Sequence, residues 1–421
     1  MWRRRIRRFT AGGRWTEQLP ISVRKNLRWF WFDGVFANAS EGIVVTYLSL
    51  FVLALGATGT QIGLMSAFSS LVAALVLLPG AGLVERWGHR RQIVVFSGGG
   101  ISRLMLLLLA LLPLFFSGPA AIAIAIGLVV VRSASGNFSY PAWMSLSADI
   151  VPLAWRGRYF SSRNIMMSLA GMTTAFGAGL IITRVGGVPG YQVALGLAFL
   201  IGLGATYSYN RLCDPRNSAP TPRPAPQTRS IRERLGEDAA FWILCATAAL
   251  WNFSLNIAGP FFSVYLVTGL EATAIMVGTL TVVNSLAALP GQRLFGVLAD
   301  RWGPRRVQLV TGLLIPLMPV GWALVGSTWQ LIPVEIAAGF LWAGYNLAIF
   351  NFLLTLMPEG QRERYSAIYQ IIITLALAGG AAVGGVIVGY WGYKAVFITS
   401  AIGRLIAALL FARFSRQAVA T

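Results

Sequence analysis

An acid and a base stand in the middle of long apolar stretches, where charge is expensive. Glu41 lies within the stretch 28–55 and Arg132 within the stretch 119–148. If both stretches are membrane-crossing helices, about 1.5 Å of rise per residue places each side chain roughly 18–20 Å along its helix, near the bilayer midplane. A charge there costs something like 2.5–3.5 kcal/mol on insertion scales, so it is a functional candidate by default. Arg132 would hold Glu41 ionised in one state, and separation in drier surroundings would let the acid take a proton. Asp33, nearer the start of the first stretch, is a further acid in the same segment. The alternative is a static pair that only locks two helices together.

Neutral groups share faces with these charges. Gly34, Asn38 and Glu41 fall on one helical stripe, and the stripe of Arg132 runs on through Ser135, Ser139 and Trp143. In the second half Asn252, Asn256, Gly259 and Ser263 form a comparable stripe, with Asn256 the positional counterpart of Glu41. Glu335 is less deep, and its face continues as Gly339, Trp342 and Asn346. The candidates for a solute site are Asn38, Asn137, Tyr140, Trp143, Trp251, Asn256, Glu335, Trp342, Tyr345, Asn346, Tyr369 and Gln370. Aromatic faces with a few polar groups suit an amphipathic organic solute, although Trp and Tyr also serve membrane helices as packing and interfacial anchors. Arg103 and Arg404 also sit mid-segment, where helix packing or snorkelling is the expectation. Phosphate-cradling loops, metal-ligand spacings and nucleophile–base arrangements are absent from the sequence, so no enzyme, cofactor or metal is expected.

The elements that must position these groups follow from composition. The chain has 421 residues, 56% hydrophobic and 11% charged, with a mean hydropathy of +0.67. A soluble domain could not bury that much apolar surface; lipid must cover much of it. Apolar segments recur near 28–55, 61–84, 93–115, 119–148, 159–184 and 190–211, then 239–268, 272–298, 307–325, 329–357, 365–389 and 393–414. Twelve spanning helices are predicted, an all-α polytopic membrane protein. The net charge of +20 argues for topology rather than nucleic acid. Basic residues crowd into the N-terminal tail and every second connection, while the intervening ones hold little beyond Arg184 and Lys394. That alternation places both termini in the cytoplasm and the chain in a cell inner membrane. No cleaved signal peptide is read at the N-terminus, and Cys213 and Cys245 are expected to be unpaired and inert.

The division predicted is a basic tail over 1–27, a six-helix bundle over 28–212, a Pro/Arg-rich cytoplasmic linker over 213–238 and a second bundle over 239–421. The halves repeat each other. Ala81-Gly-Leu-Val-Glu-Arg-Trp-Gly-His-Arg-Arg91 answers Gly296-Val-Leu-Ala-Asp-Arg-Trp-Gly-Pro-Arg-Arg306, and Pro152, Arg156, Arg158 and Tyr159 answer Pro358, Arg362, Arg364 and Tyr365. Repeats with an even number of helices share one orientation, related by an axis along the membrane normal.

These loops, the linker and the six-plus-six order resemble the major facilitator superfamily across essentially the whole chain. The family loop reads Gly-x-Leu-Ala-Asp-Arg-x-Gly-Arg-Lys/Arg; the second copy matches with Pro304 in one basic position, and the first has Ala81 and Glu85 for Gly and Asp. Leu128-Val-Val-Val-Arg132-Ser-Ala-Ser-Gly136 resembles the fourth-helix motif Leu-x-x-x-Arg-x-x-Gln-Gly, with Ser135 for Gln. In proton-linked members an Arg at that place, near an acid on helix one, is implicated in coupling, so the resemblance implies that Glu41 and Arg132, with Asp33, are the proton-coupling residues here. The resemblance also implies a cytoplasmic gate: Glu85 and Arg86 with Asp149, Arg156 and Arg158, and Asp300 and Arg301 with Glu359 and Arg362. The family's exporter motif has Gly-Pro in helix five, where this chain has no proline; Phe176-Gly-Ala-Gly179 and Val383-Gly-Gly-Val386 are instead candidate close-packing sites.

The expectation is a monomeric secondary transporter of a small organic solute, working by alternating access and driven by protons, with export favoured over import. An uncoupled facilitator is the first alternative, and a non-transporting assembly factor or receptor on the same fold is the second.

Overall fold

The computed structural model describes residues 18–152, 156–214, 239–356 and 362–414. All regular structure among them is helical. Helix α1 is Ile21–Ala54, α2 Gly59–Trp87, α3 Arg90–Leu114, α4 Gly118–Ile150, α5 Arg156–Val185 and α6 Gly187–Asn210. Then α7 runs Ala239–Ala258 and on through a tight turn to Thr268, α8 is Ala274–Trp302, α9 Pro304–Leu324 and α10 Leu331–Leu356. The last helical stretch, Arg362–Phe414, contains a 47-residue apolar portion. One rod of that length would be about 70 Å long, far beyond a hydrocarbon core of about 30 Å. Gly392 breaks it with φ 77°, a left-handed value only glycine adopts cheaply. It therefore forms two spans, α11 over 362–391 and α12 over 393–414, and eleven candidate spans become twelve.

The helices match the apolar segments closely except at the start of α1, which begins at Ile21 rather than near 28. Arg24, Lys25 and Arg28 extend the rod beyond its apolar part; a hydropathy count misses such a turn because helix and hydrocarbon do not end together.

The described residues fall into two compact units. One contains the chain up to Ala57 and again from Val72 to Asp214; the other contains Thr58–Leu71 and the residues from Ala239 onward. In unit one α1 packs on α5 and α6, and α3 on α4 and α6. Gly42 permits the α1–α5 crossing, because a Cβ there would strike the Gly171 backbone. Asn38 Nδ2 donates to Met167 O at 2.5 Å, Thr174 Oγ1 to Ala39 O at 2.6 Å and Tyr47 Oη to Ala175 O at 3.0 Å. Gly171 is thus the close-approach glycine of α5; Gly177, singled out from the sequence, faces open space.

Unit two repeats the device. Gly380 and Gly384 of α11 lie against the backbone of Phe253 and Ile257 on α7, and Asn256 Nδ2 donates to Leu377 O at 2.7 Å. Asn256 is therefore the counterpart of Asn38 in role, not of Glu41. The start of α2 belongs here too: Thr60 Oγ1 donates to Gly385 O at 3.2 Å, and Gly63 lies against Gly385.

Candidate functional site

The charges of the first half converge inside unit one. Arg132 Nη2 of α4 donates to Glu41 Oε2 of α1 at 2.5 Å. Helix α3 adds a cation that sequence reasoning assigned to packing: Arg103 Nη1 lies 4.0 Å from the same oxygen and donates to Ser40 Oγ at 3.1 Å. The two arginine side chains are 12% and 14% exposed, whereas Glu41 keeps 40%. Both arginine Nε groups are buried and have no hydrogen-bond partner among the described residues. Two guanidinium groups facing one carboxylate leave an excess positive charge, so neutralising Glu41 strips both of a counter-charge. In a poorly screened environment that changes which arrangement is favoured.

Asp33 is not part of this cluster's bonding. Its carboxylate lies 3.5 Å from Arg163 Nη2 of α5, and Arg163 Nε donates to Phe30 O at 3.1 Å. The guanidinium carbon sits 4.2 Å from the centre of the Phe30 ring, in space that Gly34 leaves by having no side chain. Sequence reasoning missed Arg163; Gly34 on the charged stripe of α1 is the feature that could have pointed to it.

In unit two the carboxylate of Glu335 accepts from Asn284 Nδ2 of α8 at 2.7 Å and from Trp322 Nε1 of α9 at 3.2 Å. Among the described residues it has no ion-pair partner within 4.0 Å. Gly339, one turn on, lets α10 touch the α8 backbone at Asn284 and fixes this meeting. Arg404 of α12 is 2% exposed, and among the described residues it donates to Leu255 O alone, at 3.4 Å.

The neutral candidates separate into two groups. Asn38 and Asn256 spend their amides on neighbouring helices, and Asn137 Nδ2 donates to Ser133 O on its own helix at 2.9 Å. Trp251 stacks on Tyr345 with ring centres 4.7 Å apart, and both are core residues, as is Tyr369. More open are Tyr140, stacked on Trp143, with Trp342 half-buried and Asn346 and Gln370 exposed.

Of the gate residues, Asp149 pairs with Arg90. Arg90 Nη1 donates to Asp149 at 2.6 Å and to Ser145 Oγ at 2.9 Å, while Nε and Nη2 grip Asp214. This clamps α3, α4 and the chain following α6, and Asn26 exchanges two hydrogen bonds with Cys213 beside it. Arg86 and Arg301 are exposed. Glu359 and the side chains of Glu85, Arg156, Arg158, Asp300 and Arg362 lie outside the described residues.

Twelve apolar spans with charges paired midway along the helices are the architecture of a membrane transporter. The chain matches the Major Facilitator Superfamily over residues 30–270 and 244–420 and belongs to that family. It is 22% identical over 399 residues to the multi-drug resistance efflux pump PmrA homolog of Lactococcus lactis subsp. lactis (strain IL1403), covering 91% of this chain and 93% of that protein. It is 23% identical over 396 residues to the multidrug resistance protein MdtG of Salmonella typhi, with the same coverage. Among solved structures it resembles the nucleoside transporter NupG, with a TM-score of 0.71, 12% identity and coverage of 91% and 99%. A POT family transporter in complex with 5-aminolevulinic acid gives a TM-score of 0.71, 13% identity and coverage of 93% and 96%. The protein is a multi-pass membrane transporter of small molecules and not an enzyme.

Proposed function

We propose that the protein is a proton-driven exporter of amphipathic organic solutes, working as a monomer in a cell inner membrane with both termini cytoplasmic. The observation that carries the coupling is the Glu41 carboxylate, exposed on one side and held by Arg132 at 2.5 Å with Arg103 behind it. Proton uptake by Glu41 releases Arg132, and the two arginines then favour a different arrangement of α1, α3 and α4. Proton loss on the other side of the membrane restores the pair. A carrier that alternates between two such arrangements couples the proton gradient to the solute.

Tyr140, Trp143, Trp342, Asn346 and Gln370, the more open aromatic and amide groups, are the favoured solute contacts. Glu335, satisfied only by neutral donors, suits a cationic group on the solute, because its charge has no counter-ion among the described residues. Export is supported by the relatives named as efflux and multidrug resistance proteins, against the missing Gly-Pro of the exporter motif. Uptake of a solute panel into proteoliposomes, with and without an imposed pH gradient, tests the reading. Solute movement against its gradient only when protons flow the opposite way supports it; equal rates with and without the gradient mean a facilitator.

A further inference from the structure

Unit one contains a groove of about 640 Å³ between α2 and α3, floored by α4, that none of the transport residues uses. Its origin is local. Gly80 lets α2 touch the backbone of α4 at Phe138, and Gly98 lets α3 touch Ser139 one residue further along. Each helix is thus tied to α4, and the gap between them stays open. Helix α3 widens here into a π-helical turn, Val94–Ile101, a rare form that re-aims side chains and is frequent at functional sites. Gly99 within it sits against Thr206 of α6, so the widened turn is wedged in place.

The groove has two chemistries. Along the membrane-spanning part its walls are apolar and open: Phe96 is 76% exposed, Ile101 44% and Val131 45%. Ser97 and Ser135 also line that part, but their hydroxyls donate to the backbone carbonyls of Ser135 and Arg132; at the end that carries the basic loop, Trp87, His89 and Gln92 form the rim. Arg86 and Arg91 adjoin this rim in the chain, and Arg86 is exposed. His89 Nδ1 lies 2.6 Å from Trp87 O, which folds the rim over the groove end.

We propose that this groove is a binding site for an anionic phospholipid. One acyl chain lies along Leu83, Phe96 and Val131, and the phosphate sits at the Trp87–His89–Gln92 rim with Arg86 as its counter-charge. The choice of an anionic lipid rests on the reading that the basic loops face the cytoplasmic leaflet, where anionic lipids and juxtamembrane cations attract each other. An apolar wall in lipid needs no special occupant. An apolar trough with indole, imidazole and amide groups at one end, and an exposed arginine beside them in the chain, does select one.

The full-length protein in phosphatidylcholine vesicles, doped with phosphatidylglycerol carrying a photoactivatable group on its acyl chain, tests this by mapping the labelled peptides after irradiation. Label should concentrate on 92–101 and 131–138, above the other spans and about fivefold above that from a phosphatidylcholine probe, as one cation at an anionic surface warrants. Val131→Trp, which adds bulk on an exposed face, and Ala134→Phe should each abolish the concentration. Arg86→Gln should keep the label but bring the two probes level. Even labelling of all lipid-facing helices, or undiminished labelling in both filled variants, overturns the site. Equal labelling by the two probes in the unaltered protein overturns the anionic headgroup. Solute transport is scored separately on the same vesicles, so loss of the transport reading leaves this result standing on its own.

Discussion

Arg103 stands 4.0 Å from the Glu41 oxygen that Arg132 already holds. Helix α3 therefore takes part in the charge cluster. Arg103→Gln should leave folded protein, since Ser40 can bond to an amide, but should lower gradient-driven transport about tenfold. That follows from the roughly 1.5–3 kcal/mol attached to hydrogen bonds of charged groups, at about 1.4 kcal/mol per decade. Arg103→Lys should recover most of it. Initial rates in proteoliposomes decide; unchanged rates in the Gln variant would return Arg103 to a packing role.

Asn38 and Asn256 each brace a core helix against its glycine-faced neighbour. Replacing either with Leu should destabilise the protein by about 0.6–1.7 kcal/mol, the range for interhelical polar contacts in membranes. Thermal unfolding in detergent measures this. Solute affinity should change little; a selective loss of affinity without loss of stability would instead make the amide a solute contact.

At Gly384 any side chain meets the Ile257 backbone. Gly384→Leu should force α7 and α11 apart, at a cost of about 1–3 kcal/mol for overpacking or more. Gel filtration should show lost monodisperse protein. Gly177→Leu, where nothing lies within reach, should be tolerated, and a reversed order of the two would contradict the packing described.

Glu335→Gln retains an acceptor for Asn284 and Trp322 while removing the charge. Binding of a lipophilic cation such as tetraphenylphosphonium should weaken about tenfold or more, whereas an uncharged solute of similar size should bind as before. Equal loss for both ligands would show that Glu335 shapes the fold and does not select charge.

How much of this was legible in the sequence depended on what a single strand of residues can encode. The doubled loops around Arg86 and Arg301 displayed the repeat, and the recurring apolar segments displayed the helix order, because both are written in composition along the chain. The Glu41–Arg132 pair was legible because the two residues lie at similar depth on helices of opposite direction and Arg132 stands in the family's fourth-helix motif. Arg103 was not, because spacing gives a residue's face but not the direction in which the helix is turned. Arg163 and Asn284 were hidden for the same reason, their significance lying in Asp33 and Glu335 on other helices. Trp251, Tyr345 and Tyr369 look like solute contacts by type, yet the first two stack in one core cluster of unit two and Tyr369 lies in another, since an aromatic ring serves either purpose.

Glu41→Gln, measured in proteoliposomes in two modes, bears most directly on the coupling mechanism. With solute on both sides and no gradient, the variant should still exchange labelled for unlabelled solute. With an inward or outward pH gradient imposed, it should fail to concentrate solute, while the unaltered protein does so. Gradient-driven accumulation by the Gln variant at the unaltered rate would contradict the assignment of Glu41 as the proton carrier.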